Sequence, residues 1–132
     1  MDYCELKKFI PKDKFDLTPI SALMEMSRDE IKPILPYLLP YVADMNWPIA
    51  SEMVKVLACF ADDVVPHIKE ILKPTEIDED WKWFIITGLI PELPKKSQDL
   101  LAEDIRRISD NPTDSEVLCD VQKQAEIYLK RQ

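Results

Sequence analysis

Apolar residues recur at helical spacing along most of this chain, and prolines break the pattern into short pieces. Ile31, Ile34, Leu35, Leu38, Leu39 and Val42 share one helical face, interrupted by Pro33, Pro36 and Pro40, so this helix is expected to be split or kinked. Ser27 and Glu30 have the spacing of a capping box at its start. Before it, Thr18 and Pro19 read as N-cap and first residue of a short helix reaching about Met26, after an irregular stretch of 16 residues. A helix is expected over 47–60. Asp62 or Asp63 then caps another through Val64, Val65, Ile68, Ile71 and Leu72, closed by Pro74. Asp80 caps a helix from Trp81 to about Ile90, stopped by Pro91 and Pro94. Ser97 caps a fifth with Leu100, Leu101, Ile105 and Ile108 inward. Asp114 caps the last, which carries Val117, Leu118, Val121, Ala125, Tyr128 and Leu129.

A long period overlies the short one. Asn46-Trp47, Asp80-Trp81 and Asp114-Ser115 follow one another at 34 residues, and Asp44, Asp78 and Pro112 keep the same step two residues upstream. Asn and Asp accept hydrogen bonds from the unpaired amides of a first helical turn, so Asn46, Asp80 and Asp114 are predicted N-caps. A period of this length built on helices predicts a stack of repeats. No segment alternates at period two, and with one glycine against eleven prolines there is little turn material for a sheet. The expected fold is therefore all-α: a single right-handed, HEAT-like domain over residues 1–132, with three helix-turn-helix units and an N-terminal helix. The polar final helix would cap the stack.

Aligning the second helices of the units sets Ser51, Glu52 and Lys55 against Ile85, Ile86 and Leu89. The middle helix is thus apolar nearly all round. Burial between two neighbours accounts for that, and so does an apolar patch left for a partner. The second reading predicts a partner surface built from Trp47, Glu52, Lys55, Trp81, Ile85 and Leu89. Trp47 and Trp81 open their helices, where they pack under the preceding turn or offer a platform to a ligand.

The net charge of −8 is uneven: residues 61–80 hold seven acids and two bases, residues 81–132 nine acids and eight bases. No basic stripe is available to neutralise phosphates, so nucleic acid is not an expected partner, nor is an anionic membrane surface. No apolar run is long enough to span a bilayer, and the first residues lack the marks of a secretory signal. Three widely spaced cysteines, Cys4, Cys59 and Cys119, make no disulfide framework and point to a reducing, cytoplasmic setting.

Candidate chemistry is sparse. His67 is the only histidine, with Cys59 eight residues before it; nothing in sequence pairs with it, and a structural or surface role is expected. The acidic run Glu76-Ile77-Asp78-Glu79-Asp80 lacks the glycine of a calcium loop and reads as helix-start chemistry. The cysteines and His67 lack zinc-ligand spacing, so no metal is predicted, and no cofactor. One glycine excludes a phosphate-cradling loop.

Several stretches together resemble a known family: Ile10-Pro11-Lys12-Asp13-Lys14 with Asp16, Ile34-Leu35-Pro36, Asp44 through Ala50, Val65-Pro66-His67-Ile68-Lys69, and Trp81 through Pro91-Glu92-Leu93-Pro94. In order and spacing they resemble an uncharacterised bacterial family of small helical proteins, a domain of unknown function. The segment from Asp44 also resembles the start of the second helix in HEAT-type repeats. The C-terminal 35 residues carry little of the likeness. Phe15 stands where the family pattern often has histidine, so no role of that histidine transfers. The resemblance implies an all-α, repeat-like fold and no established activity. The expectation is a module that binds another protein, a basic one by charge, rather than a catalyst. The alternatives are a neutralising (immunity) protein for a basic toxin and a helical-repeat enzyme of unknown chemistry.

Overall fold

The structure, a computed structural model, describes residues 3–132, with side chains from Glu5 onward. All regular elements among them are helical. They are α1 (Tyr3–Leu6), α2 (Ile20–Met24), α3 (Arg28–Ile31), α4 (Leu35–Leu38), α5 (Ala50–Cys59), α6 (Ala61–Ile71), α7 (Glu79–Phe84), α8 (Lys95–Asp110), α9 (Asp114–Leu118) and α10 (Val121–Lys130). Among the described residues no helix is long and apolar enough to cross a membrane. The stretch expected to be irregular holds α1 and a 3-10 turn over Lys7–Phe9.

The proline-broken helix is as expected: α3 and α4 are joined and followed by 3-10 turns at Lys32–Ile34 and Leu39–Val42. Its capping box is formed, with Glu30 N donating to Ser27 Oγ and Ser27 N to Glu30 Oε1.

Two rows of helices enclose the core. Residues 28–42, α6 and α8 make one; α5, residues 79–92 and α10 make the other. Side chains clamp neighbouring elements at close to the long sequence period. Arg28 pairs with Asp63, Lys69 with Asp104, and Lys82 with Glu116, while Arg107 donates to the Leu72 carbonyl. Each partnership spans 34 or 35 residues.

The N-caps fall beside their predicted places. Asn46 lies in a turn where its amide donates to Asp44 Oδ1 at 2.8 Å, and α5 starts only at Ala50. Pro48 explains the delay, because the residue before a proline is steered away from helical geometry. For α7 the cap is Asp78, whose Oδ1 accepts from Trp81 N at 3.0 Å, and Asp80 sits inside the first turn. For α9 it is Thr113, in a capping box with Glu116, and Asp114 is the first helical residue. The 34-residue step is therefore kept by Asp44 and Asp78, whose carboxylates do accept amides.

Asp62 and Asp63 lie in the first turn of α6 without capping it, and Asp63 is turned to Arg28. Nor does Ser97 cap α8: Pro94, extended by its ψ of 150°, opens that helix three residues earlier than expected. Ser97 begins instead the buried face Ser97, Leu101, Ile105 and Ile108, which leaves Leu100 exposed. The last predicted helix is two, because Asp120 takes a left-handed backbone (φ 63°) between α9 and α10. Val117 and Leu118 end up on the surface rather than inward.

The Trp81 helix does not run regularly to Ile90. After α7 it widens into a π-turn over Ile85–Leu89, then tightens to 3-10 at Ile90–Glu92. Thr87 Oγ1 donates to the Trp83 carbonyl across the widened turn. Gly88 lies against the 43–49 turn, where a Cβ would stand 2.5 Å from Met45 Cε.

Candidate functional site

Two prolines shape one wall of a hollow on the surface. Pro36 and Pro40 hold residues 35–42 in short helical turns, and Ala43 N bonds to the Pro40 carbonyl. That leaves the Leu39 carbonyl, the regular partner of residue 43 in an α-helix, free to accept from Trp81 Nε1 at 3.2 Å. With its backbone amide held by Asp78, the indole is fixed at both ends, half-buried and half-open.

It forms one wall of a cleft of about 340 Å³. Pro36, Leu39 and Ile71 supply apolar surface beside it; His67, Glu70, Thr75 and Glu76 supply the polar side. His67, Glu70 and Ile71 lie on α6 three and four residues apart, so one helical face delivers all three. Glu70 reaches Lys73 Nζ at 2.7 Å in an exposed pair, and Glu76 Oε1 accepts from Asp78 N at 3.1 Å. Ile77, 88% exposed, and the exposed Asp78 and Asp80 continue the acidic edge beyond the cleft. An aromatic face, aliphatic walls and two carboxylates suit a cationic side chain with an aliphatic stem.

The sequence-predicted surface is only partly assembled. Trp81 lines the cleft. Ile85 and Leu89 are fully buried, so they hold the core and present no patch; the apolar excess of this helix is packing between α5 and α10. Trp47 is half-buried, with Lys14 Nζ 5.9 Å from its ring centroid. Glu52 and Lys55 pair with each other on α5 at 3.0 Å. None of these three lines the cleft. What the pattern missed were His67, Glu70 and the Leu39 carbonyl. The one legible hint was the His67, Glu70, Ile71 spacing on a single face.

His67 and Cys59 line different hollows, so no cysteine–histidine pair is formed. Cys59 and Cys119 are free and exposed, while the side chain of Cys4 lies outside the described residues. Among the described residues no three metal-ligating side chains converge.

Beside Trp81 in sequence, Lys82 points the other way, into a sealed ionic cluster. Its Nζ, fully buried, lies 2.9 Å from Glu116 Oε2 and 3.2 Å from Glu79 Oε1. Arg107 grips both oxygens of Glu116, at 2.5 and 2.9 Å, and the Thr113 amide donates to it at 2.8 Å. Burial alone would push the Glu116 carboxyl up; Arg107, Lys82 and Thr113 outweigh it and hold the group at about 2.

Residues 9–129 match one family model, described as a domain of unknown function, DUF5071. The chain belongs to that family. A comparison with curated proteins finds no match.

Proposed function

We propose that this DUF5071 domain is a HEAT-like helical-repeat module of the cytoplasm that works by binding another protein, and that the Trp81 cleft receives a basic segment of that partner. The observation that carries the reading is the indole of Trp81, fixed half-open between an apolar wall and the carboxylates of Glu70 and Glu76. A lysine or arginine laid over it gains a cation–π contact worth about 1 kcal/mol and burial of its stem, with the acids steering its approach. The repeat reading is supported by ion pairs that recur at 34 or 35 residues. Two exposed free thiols fit a reducing compartment. Trp47 in the turn before α5, with Glu52 and Lys55 on α5, is the second stretch of surface assigned to the partner.

A basic toxin is one partner of this chemistry, favoured by the seven acids among residues 61–80. The neutralising reading adds only that the bound segment belongs to the toxin's working surface.

The test is titration with a short lysine- and leucine-rich peptide, followed by NMR at the Trp81 indole N–H. Saturable shifts that vanish with Trp81→Ala and weaken with Glu76→Gln support the cleft. An acidic peptide of the same length binding equally well would overturn it. Charge reversal, Glu52→Lys or Lys55→Glu, reports whether α5 joins the contact.

A further inference from the structure

The N-terminal segment carries the opposite charge to the acidic edge, and both are tied to the stretch Leu39–Val42. Residues 7–14 hold four lysines and one aspartate; residues 76–80 hold four acids and no base. Tyr41 Oη donates to the Pro11 carbonyl at 2.6 Å, Ile49 N to the Lys14 carbonyl at 3.1 Å, and Lys14 lies over Trp47. These contacts pin the lysine-rich segment against the 43–49 turn, which joins the first row to the second. The acidic loop makes the equivalent connection between α6 and α7, and Trp81 at its end is bonded back to Leu39. The basic and acidic patches are thus neighbours along the same edge of the two rows.

The shapes match as well as the charges. Lys7, Lys8 and Lys12 rim a hollow of about 620 Å³ with Ile10 and Pro11 in its wall. The one acid there, Asp16, is taken up by the amides of Lys12 and Thr18 and by the Thr18 hydroxyl. The acidic loop offers a protruding apolar side chain, Ile77, 88% exposed between Glu76 and Asp78.

We propose that this edge is self-complementary, and that two copies of the chain pair through it about a two-fold axis, the lysine-rimmed hollow of each receiving Ile77 and the acidic loop of the other. A two-fold axis makes both contacts at once, because an isologous interface sets patch i against patch j and j against i. Basic on one side and acidic on the other give an edge that repels itself in parallel and attracts itself when inverted. The pairing rests on the reading of the acidic edge as an interaction surface. It assigns that surface a definite occupant, a second copy, whose N-terminal lysines compete with any other basic partner for the same side of the molecule.

The test is sedimentation velocity of the full chain over a range of concentrations. A dimer is expected at low salt, with affinity weakened on the order of tenfold or more at raised salt, where exposed charges are screened. Reversing the basic patch (Lys8→Glu with Lys12→Glu) or the acidic one (Glu76→Lys with Ile77→Lys and Asp80→Lys) is expected to give monomers. Mixing the two reversed chains restores a dimer, since each patch then meets its opposite again. Ile77→Ser, a milder change at an exposed position, is expected to weaken pairing without charge reversal. A monomer at every concentration in low salt would overturn the proposal, as would failure of the mixed chains to pair. The lysine–leucine peptide, added to the Lys8→Glu, Lys12→Glu chain, keeps the two readings apart. Peptide binding without a wild-type dimer overturns the pairing and leaves the cleft standing; a wild-type dimer without peptide binding supports the pairing and removes the cleft.

Discussion

Trp81 and Lys82 are adjacent on α7 and occupy opposite kinds of environment. Around Lys82, two cations and two carboxylates are arranged so that Glu116 is fully enclosed and its charge answered from two helices and a cap. Around Trp81, exposed Glu70 and half-buried Glu76 line an open cleft, and among the described residues they meet an exposed lysine and a loop amide. Buried charge is tolerated only when neutralised by the fold itself, so the first region has nothing left to offer a ligand. Exposed charge costs the fold little and keeps its capacity to attract. The contrast separates a fastening from a docking edge made of the same residue types.

The sharpest way to break that contrast is Glu116→Ala. It leaves Lys82 buried with Glu79 as its single counter-charge and strips Arg107 of both its carboxylate bonds. Loss of one partner of a buried pair costs about 3–5 kcal/mol, read from the urea midpoint at constant slope. Lys82→Met combined with Glu116→Ala is expected to lose less than the two single changes added together, because the Lys82–Glu116 contact is lost in each single change and only once in the double.

Acid reads the same fastening without mutation. Glu116 titrates at about 2 in the folded chain against an ordinary 4.5, so the folded state holds it ionised more firmly than the unfolded one. Its contribution is complete above the unfolded value and disappears as pH falls from about 4.5 to about 2. That interval corresponds to about 3 kcal/mol. Thermal unfolding followed over this range should lose part of its slope in Glu116→Gln, the rest being kept by Asp16, Glu30 and Asp63, whose carboxyls are also held below their ordinary values by hydrogen bonds.

The sequence showed the helices and the long period because both are written in local chemistry: apolar spacing, prolines and cap residues. It placed three caps a few residues late or early, because competition among neighbouring candidates is decided by backbone detail. Pro48 denies Asn46 a helix start, and Thr113 wins over Asp114 because the extended residue after Pro112 can turn its hydroxyl onto Glu116 N. The candidate site was harder to read. Trp81 drew notice as an outlier, but its meaning depends on a Leu39 carbonyl left free 42 residues away. Ile85 and Leu89 were equally apolar and went to the core instead, a choice made by the neighbours α5 and α10 and invisible in a single helix. The ionic cluster likewise joins Lys82 to Glu116 across 34 residues, and neither residue is unusual alone.

Capping gives the next smaller effect and tests the corrected positions. Asp78→Ala is expected to cost about 1 kcal/mol, since Trp81 N loses its acceptor, while Asp80→Ala, with no cap bond to lose, stays within about 0.5 kcal/mol. The assignment would be reversed by Asp80→Ala proving the costlier change.

The smallest effect on stability belongs to the cleft rim. In Glu70→Gln the exposed pair with Lys73 disappears, and such i, i+3 pairs contribute about 0.3–0.5 kcal/mol at most. Denaturant midpoints of this variant should therefore be nearly those of the parent chain. Affinity for the lysine–leucine peptide should nonetheless fall, on the order of threefold or more, because a carboxylate facing the bound cation has been neutralised. The salt dependence of peptide binding should flatten with it. A variant that loses stability without losing affinity would mean that Glu70 fastens the fold as Glu116 does, and that the two sides of α7 differ in exposure and not in role.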